Sequence, residues 1–316
     1  MNAIADFSNR HRWIWAAFGV LLLWAALGLG SERFNLNSLS GVARSASFLT
    51  FVALGQMFVV ATGRGNIDLS VASVVTLSAF ITVTLADGQN ARLPLALGAA
   101  IGVGLLVGAI NAFLVVKLRI AAMIATLAMG YLLASATLLV NRAVRGFETP
   151  PLLSWLASGR VGGIPVIALL ALLATLFAGL VIRRLSYGCQ LSAVGQNIRA
   201  ADFAGIRTGR VVTVAFLISG GCSALAGALL SAYSGGAFLD MGSPYLLQSV
   251  GAVVLGGSLI FGGISTALGT LMGSVLLVLA VSTMQIWGLP VGMQDIVQGA
   301  LIILMLALAA GRGKPR

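Results

Sequence analysis

The stretch that decides the fold is PLALGAAIGVGLLVGAINAFLVV, residues 94–116, which contains no charged residue and one strongly polar side chain, Asn111. A bilayer core about 30 Å thick is crossed by about 20 apolar residues in a helix. Lipid offers no hydrogen-bond partners to a peptide backbone, so a spanning segment is either a helix or a strand of a closed barrel. Barrel strands are about ten residues of alternating polarity, so this unbroken apolar run predicts a membrane-spanning helix.

The rest of the chain has the same character. Of its 316 residues, 59% are apolar and 9% are charged, whereas soluble domains carry about 25% charged residues. The pattern predicts an all-α polytopic membrane protein with a single transmembrane domain over residues 1–316. About ten spans are expected, at 13–30, 43–62, 68–86, 94–116, 120–140, 164–182, 211–232, 245–260, 265–286 and 290–310. For 245–286 two interpretations stay open: two full spans, or a helix broken at its paired glycines.

The basic residues predict the orientation. With the N-terminus inside, 13 of the 19 lysines and arginines fall in cytoplasmic segments and 6 in outer segments, which is the bias of correctly oriented membrane proteins. We therefore expect both termini in the cytoplasm and lipid around the helices. The net charge of +11 reflects this orientation, and no basic stripe interleaved with aromatic residues indicates nucleic-acid binding.

Two segments of the chain resemble each other. Residues 63–70 and 235–242 each place a glycine-rich break five residues before an aspartate, Asp68 in one and Asp240 in the other. An odd number of expected spans, five, separates them, so the two copies would enter the membrane from opposite sides. This arrangement is typical of the inverted repeats of transporters, with repeat-like halves at about 43–140 and 211–310.

Polar residues within or beside apolar runs are candidates for function, because a charge in the membrane costs a few kcal/mol or more. Asp68 is interpreted either as a helix N-cap or as part of a re-entrant turn that lines a gate, and the same alternatives hold for Asp240. Asp295, in the tenth expected span, is interpreted either as a proton or ion site or as a first-turn acid that faces the interface or a polar cavity, where the helix dipole favours it. Asn111 and Gln248 would contact a sugar-like solute or hydrogen-bond between helices.

Enzymatic chemistry is not expected. The chain has one histidine and no GxxxxGK[ST] loop, since Gly311-Arg-Gly-Lys314 is followed by Pro315. We therefore expect no cofactor or metal bound by this chain, and any ATP would be used by a partner. The long basic segment 183–210 contains a predicted short helix at 200–204 that Gly205 ends, and it is a candidate docking site for such a partner. The alternative is an ordinary interfacial helix.

Three motifs carry a family resemblance. AVGQNIRAADFAGI, residues 193–206, resembles the coupling-loop motif of permease subunits from ribose-type ABC importers of monosaccharides. IDLSV, residues 67–71, resembles their GGIDLSVGS segment, and VVLGGSLIFGG, residues 253–263, resembles their VVLGGxxxxGG segment. The resemblance covers nearly the whole chain in order. It departs at Asn66, where a glycine is usual, at Ala72, which replaces the second glycine of SVGS, and at Cys189, where an arginine is common.

The resemblance implies a transport subunit of the bacterial inner membrane and its partners. These are a cytoplasmic ATP-binding subunit that uses ATP, a periplasmic solute-binding protein, and a second permease copy, identical or homologous. It also implies ATPase-coupling residues: Gly195, Asn197, Arg199, Ala200, Ala201, Gly205 and Ile206. The gate or translocation pathway is expected at Asp68, Ser70, Asn111, Asp240, Gln248, Gly256 and Gly257. The alternative function is an ion-coupled secondary transporter that uses Asp68 or Asp295.

Overall fold

The computed structural model describes residues 13–30, 36–143, 148–290, 292–294, 296–300 and 303. This part of the chain is helical apart from connecting segments and one antiparallel hairpin of two-residue strands, β1 (Arg160–Val161) and β2 (Ile164–Pro165). The α-helices are α1 (Trp13–Gly30), α2 (Leu36–Ala61), α3 (Val71–Ala86), α4 (Leu93–Val116), α5 (Ala122–Ala143), α6 (Pro151–Ser158), α7 (Val166–Arg184), α8 (Ser186–Gln196), α9 (Ile198–Phe203), α10 (Thr208–Tyr233), α11 (Tyr245–Leu255) and α12 (Ala267–Ile286).

The described helices confirm a polytopic helical membrane protein. Six of them, α2, α4, α5, α7, α10 and α12, are long and apolar enough to cross a membrane, and α3, α11 and part of α1 are shorter apolar helices. The expected full span at 245–260 is wrong. Helix α11 has 11 residues, about 17 Å at 1.5 Å per residue, and a non-helical segment follows it to Thr266. Helices α11 and α12 are separate and pack antiparallel, since Gly256 abuts Gly269 and Ala252 abuts Gly273. The region 245–286 is therefore one short and one full-length helix, which is neither two full spans nor a single broken helix.

Helices α2 and α10 form the centre of the bundle. In their most apolar stretches 83% and 61% of the residues are buried, against 33% in each of α4, α5 and α7. Helix α10 packs against α2, α3 and α4. Peripheral helices instead expose large apolar side chains, such as Phe177 of α7 and Leu132 of α5. Because these helices are apolar on both faces, their outer faces suit lipid or a second membrane chain.

Small residues bring α4 and α10 close together. A Cβ atom at Gly104 would overlap the carbonyl group of Gly220, and one at Gly108 would overlap the carbonyl group of Phe216. Close backbone approach of this kind increases the packing contacts between helices in lipid. The close contact does not extend along the whole of α4, because Cβ atoms added at Gly98 and Gly102 would meet open space.

The segment 183–210 was expected to be one loop with a single short helix, but it is mostly helical. It holds the end of α7, all of α8 and α9, and the start of α10. The predicted helix at 200–204 begins two residues earlier, at Ile198, because the Asn197 side chain caps it. We call the end of the bundle that holds α8, α9 and Arg183–Arg184 the basic end.

Candidate translocation and coupling sites

A non-helical segment, residues 62–70, connects α2 to α3 and starts at the basic end. Gly63, Arg64 and Gly65 all have positive φ, between 58° and 80°, so the helix cannot continue through them. A Cβ atom at Gly63 would meet backbone atoms of Gly195 and Phe261. The segment therefore begins beside α8 and the 256–266 segment before it enters the bundle.

Farther along this segment, Asp68 is buried, with 1% of its surface exposed. Its carboxylate accepts hydrogen bonds from the Ser70 backbone N–H (3.0 Å), the Ser70 hydroxyl (2.6 Å) and the Ser219 hydroxyl (2.8 Å). Asn111 Nδ2 donates to the Ser70 hydroxyl at 2.9 Å. The structure thus brings together Asp68, Ser70 and Asn111, three of the expected gate residues, and adds Ser219. A buried carboxylate is tolerated only when its oxygens are satisfied in this way.

The backbone around Asp68 is also held from both sides. With its amide oriented so that donor meets acceptor, Gln56 Nε2 donates to the Asp68 carbonyl and Gln56 Oε1 accepts from the Asp68 N–H, both at 3.2 Å. The Leu69 N–H donates to Thr126 Oγ1 at 2.9 Å. The helix α3 begins only after Ser70, its N-cap residue. Asp68 therefore accepts a hydrogen bond from a backbone N–H, as the capping interpretation predicts. It lies two residues before Ser70, which occupies the N-cap position itself.

The second non-helical segment, residues 234–244, differs from the first. Asp240 is exposed and has φ of 64°, and it does not cap α11, whose N-cap is Pro244. The segment still reaches into the bundle, because the Gly242 N–H donates to Thr76 Oγ1 of α3 at 3.0 Å. The two aspartates of the apparent repeat are therefore not equivalent in burial or in hydrogen bonding.

The two non-helical segments approach the same part of α3. The first ends at Ser70, directly before the helix, and the second contacts Thr76 in its second turn. A cavity of about 390 Å³ lies between α3, α5 and the second segment. Its polar lining consists of Ser73, Thr76, Thr137, Asp240 and Ser243. Hydroxyl and carboxylate groups of this kind can exchange hydrogen bonds with a polyhydroxylated solute.

The remaining expected gate residues lie elsewhere. Gln248 of α11 donates to Gln298 Oε1 at 2.7 Å, which is the interhelical hydrogen bond that the packing interpretation predicts. Gly256 is buried, and a Cβ atom there would overlap the backbone of Gly269 at the start of α12. Gly257 has φ of 86° and lies where α11 has ended. Asp295 lies outside the described residues.

The expected coupling residues lie together at the basic end. Asn197 Oδ1 accepts a hydrogen bond from the Ala200 N–H at 3.1 Å and caps α9. Arg199 and Ala200 are exposed on this helix, whereas Ala201 is 4% exposed and anchors it. Gly205, with φ of 80°, ends the turn.

The rest of this segment fixes α9 to the bundle. Ile206 is half-buried, and Gly195 is buried where a Cβ atom would overlap the Ala61 carbonyl oxygen and the Gly263 backbone. Burial raises the pKa of Tyr187, and its hydroxyl donates to the Val211 carbonyl oxygen at 3.2 Å. Helix α8 is therefore tied both to the end of α2 and to α10.

One residue of α9 was not predicted. Phe203 is 92% exposed, the highest value among the large apolar side chains of the described residues. The other large apolar residue of this helix, Ile198, is half-buried, and exposed aromatic side chains such as Phe203 are frequent in protein interfaces. The sequence contains a signal for this residue, because Phe203 is an aromatic side chain in a polar segment and directly precedes Ala204 and Gly205, which end the helix.

Comparison with known proteins agrees with these features. The family model described as "Branched-chain amino acid transport system / permease component" matches residues 38–306. The chain is 30% identical to the galactofuranose transporter permease protein of Escherichia coli over 86% of this chain and 79% of that protein. It is 32% identical to an autoinducer 2 import system permease protein of Yersinia enterocolitica, over 97% of this chain and 84% of that protein. No solved structure matches significantly.

Proposed function

Because the chain belongs to the family of branched-chain amino acid transport system permease components, we propose that it is the membrane subunit through which an ABC importer moves a monosaccharide or sugar-like solute. The observation that carries the proposal is the match over nearly the full chain to permeases of galactofuranose and autoinducer 2 import. The hydroxyl- and carboxylate-lined cavity beside α3 is compatible with such a solute.

The basic end faces the cytoplasm in this proposal. The distribution of lysine and arginine supports it, as does the position of Arg183 and Arg184 at the end of α7. About ten crossings result when α1, α3, the short α11 with the 256–266 segment, and the helix that includes residues 296–300 are counted with the six long helices. Both termini are then cytoplasmic, and the protein lies in the bacterial inner membrane.

ATP is used by a separate cytoplasmic subunit that binds α9. The support is local: Ala201 anchors the helix, Asn197 caps it, and Phe203 projects from it without a covering residue. Movement of α9 reaches the bundle because Gly195, at the end of α8, abuts the end of α2 and the start of the 62–70 segment. The chain itself needs no cofactor in this scheme.

The solute crosses where the two non-helical segments approach α3. Interrupted helices line the substrate sites of many transporters, and their repeats rock about a central site during alternating access. Here the 62–70 segment starts at the basic end, and the 234–244 segment follows the other end of α10. Their opposite placement supports inverted repeats over about 43–140 and 211–310, with Asp68 and Asp240 serving different roles.

Two further partners complete the importer: a periplasmic solute-binding protein and a second permease chain. The second chain is either a copy of this one or a homologue. Yersinia enterocolitica has two different autoinducer 2 import system permease proteins similar to this chain, at 32% and 29% identity, which makes a homologous partner as reasonable an expectation as a second copy.

Reconstitution tests the proposal. Proteoliposomes that contain the chain, its ATP-binding subunit and its binding protein should accumulate the solute only when ATP is supplied on the ATPase side. Omission of the ATP-binding subunit is the control. Uptake by the chain alone under a proton or sodium gradient would support the secondary transporter and overturn the proposal.

A further inference from the structure

Three arginines line a single cavity of about 660 Å³ at the basic end. Arg64 follows α2, Arg119 lies between α4 and α5, and Arg199 belongs to α9. None of the three forms an ion pair or a side-chain hydrogen bond with another described residue. The single acidic residue among the described lining is Asp202. The cavity therefore carries an excess of two positive charges that no described residue neutralises.

The backbone supplies further positive potential. Helices α5 and α10 both begin at this cavity, with Ala122 and Met123 in one wall and Thr208 and Gly209 in another. The N–H groups of Ala122, Met123 and Gly209 have no acceptor among the described residues. The first turns of long helices present such free N–H groups and the positive end of the helix dipole, which together favour anions.

Two of the arginines are held in an unusual conformation. Arg64 has φ of 58° and Arg119 has φ of 56°, a left-handed region that long side chains rarely occupy. The two residues belong to different connecting segments, yet both line the same cavity. The connections thus bring two guanidinium groups to one place.

We propose that this cavity binds a phosphate group. Guanidinium groups bind phosphate oxygens with two parallel hydrogen bonds and keep their charge at any physiological pH. The group can come from the headgroup of an anionic phospholipid or from a free phosphate ester. Ile120 and Met123 continue the lining as an apolar surface, which suits the acyl chains of a lipid. The binding does not depend on the transport role.

The test uses the purified full chain in detergent, with native mass spectrometry and thermal unfolding. Arg64→Asn and Arg119→Asn remove the charges, and asparagine tolerates the left-handed conformation better than most residues. The matched control is Arg184→Gln, which removes one charge at the same end outside the cavity. Lysine at positions 64 and 119 should restore part of the binding. The probes are phosphatidylglycerol, phosphate-free diacylglycerol and inorganic phosphate.

We expect the wild-type chain and Arg184→Gln to retain phosphatidylglycerol in preference to diacylglycerol. The double asparagine variant should retain it about 25-fold more weakly, at about five-fold for each arginine near an anionic lipid. A thermal midpoint raised by inorganic phosphate in the wild type and in Arg184→Gln but not in the double asparagine variant, with equal lipid retention by all variants, would support the proposal with a free phosphate ester as source. Equal retention by all variants with no response to phosphate overturns it. Loss of ATPase-subunit binding without any phosphate or lipid effect also overturns it and assigns the arginines to the partner.

Discussion

The Ser219 hydroxyl donates a hydrogen bond of 2.8 Å to the Asp68 carboxylate, and it joins the middle of α10 to the segment between α2 and α3. The two residues are 151 positions apart in the chain. Because Asp68 also accepts from Ser70, and Ser70 from Asn111, one carboxylate connects the 62–70 segment to α10 and, through Ser70, to α4. These hydrogen bonds attach the 62–70 segment to two helices of the bundle.

Ser219→Ala should therefore weaken the attachment of the 62–70 segment. Loss of one bond to a buried carboxylate is expected to destabilise the chain by about 1–3 kcal/mol and to lower its unfolding temperature in detergent. Ser231→Ala is the matched control, because that buried serine of the same helix donates only to the Ala228 carbonyl. Equal unfolding temperatures for the two variants would contradict the role assigned to Ser219.

Phe203→Ala should disconnect ATP hydrolysis from uptake without changing the stability of the isolated chain. The side chain is almost fully exposed, so its removal loses little packing within the chain. In reconstituted importer, we expect at least a ten-fold fall in uptake or weaker binding of the ATP-binding subunit, as for an interface anchor worth about 2 kcal/mol. Phe177→Ala, on the outer face of α7, provides the comparison. Wild-type uptake in Phe203→Ala would exclude this residue as a contact.

Gly205→Pro should uncouple the transporter while leaving membrane insertion intact. Gly205 has φ of 80°, whereas proline fixes φ near −65°, so the turn after α9 must change. Gly205→Asn is the control, since asparagine accepts left-handed φ. ATPase activity and uptake, measured in parallel, should separate in the first variant only. A charge-reversing change, Arg199→Glu, should likewise leave ATPase activity while lowering uptake. Normal coupled uptake in both Gly205→Pro and Arg199→Glu would argue against α9 as the coupling element.

The close approach of α4 and α10 can be tested with two glycines of one helix. Gly104→Ala places a Cβ atom against the Gly220 carbonyl group, whereas Gly102→Ala meets open space. Overpacking should destabilise the first variant by about 1–3 kcal/mol. The second should be neutral or stabilised by up to about 1 kcal/mol, the helix preference of alanine over glycine. Thermal unfolding in detergent measures both, and a reversed order would contradict the packing.

The orientation of the protein in the membrane can be tested by chemical labelling of a natural cysteine. Cys189 of α8 is exposed at the basic end, and Cys222 of α10 is half-buried. A membrane-impermeant maleimide should label Cys189 in inside-out vesicles and leave it unlabelled in right-side-out vesicles. Cys189→Ser should abolish the signal. Labelling from the outside would place α8 and α9 in the periplasm, where no ATP-binding subunit can reach them.

Local signals in the sequence were sufficient for several features. The helix at α9 was predicted because Gly205 is a local stop signal. The paired glycines of 245–286 correctly indicated that a helix ends there, but not that α11 and α12 pack antiparallel. The capping interpretation of Asp68 was partly right for the same reason, since the Ser70 N–H is two residues away. Ser219 and Phe203 were missed, because the burial of one and the exposure of the other depend on helices far away in the chain.

The amino-acid sequence by itself determined that the chain lies in lipid and is helical. Long apolar runs with so few charges can satisfy their backbone hydrogen bonds in lipid only as helices. Only the tertiary structure decided which of two similar aspartates is buried, which glycines of α4 contact α10, and which arginines share a cavity. These are distances between residues from separate helices. Apolar periodicity carries little information about them, because a helix that is apolar all round has no face that selects its neighbour.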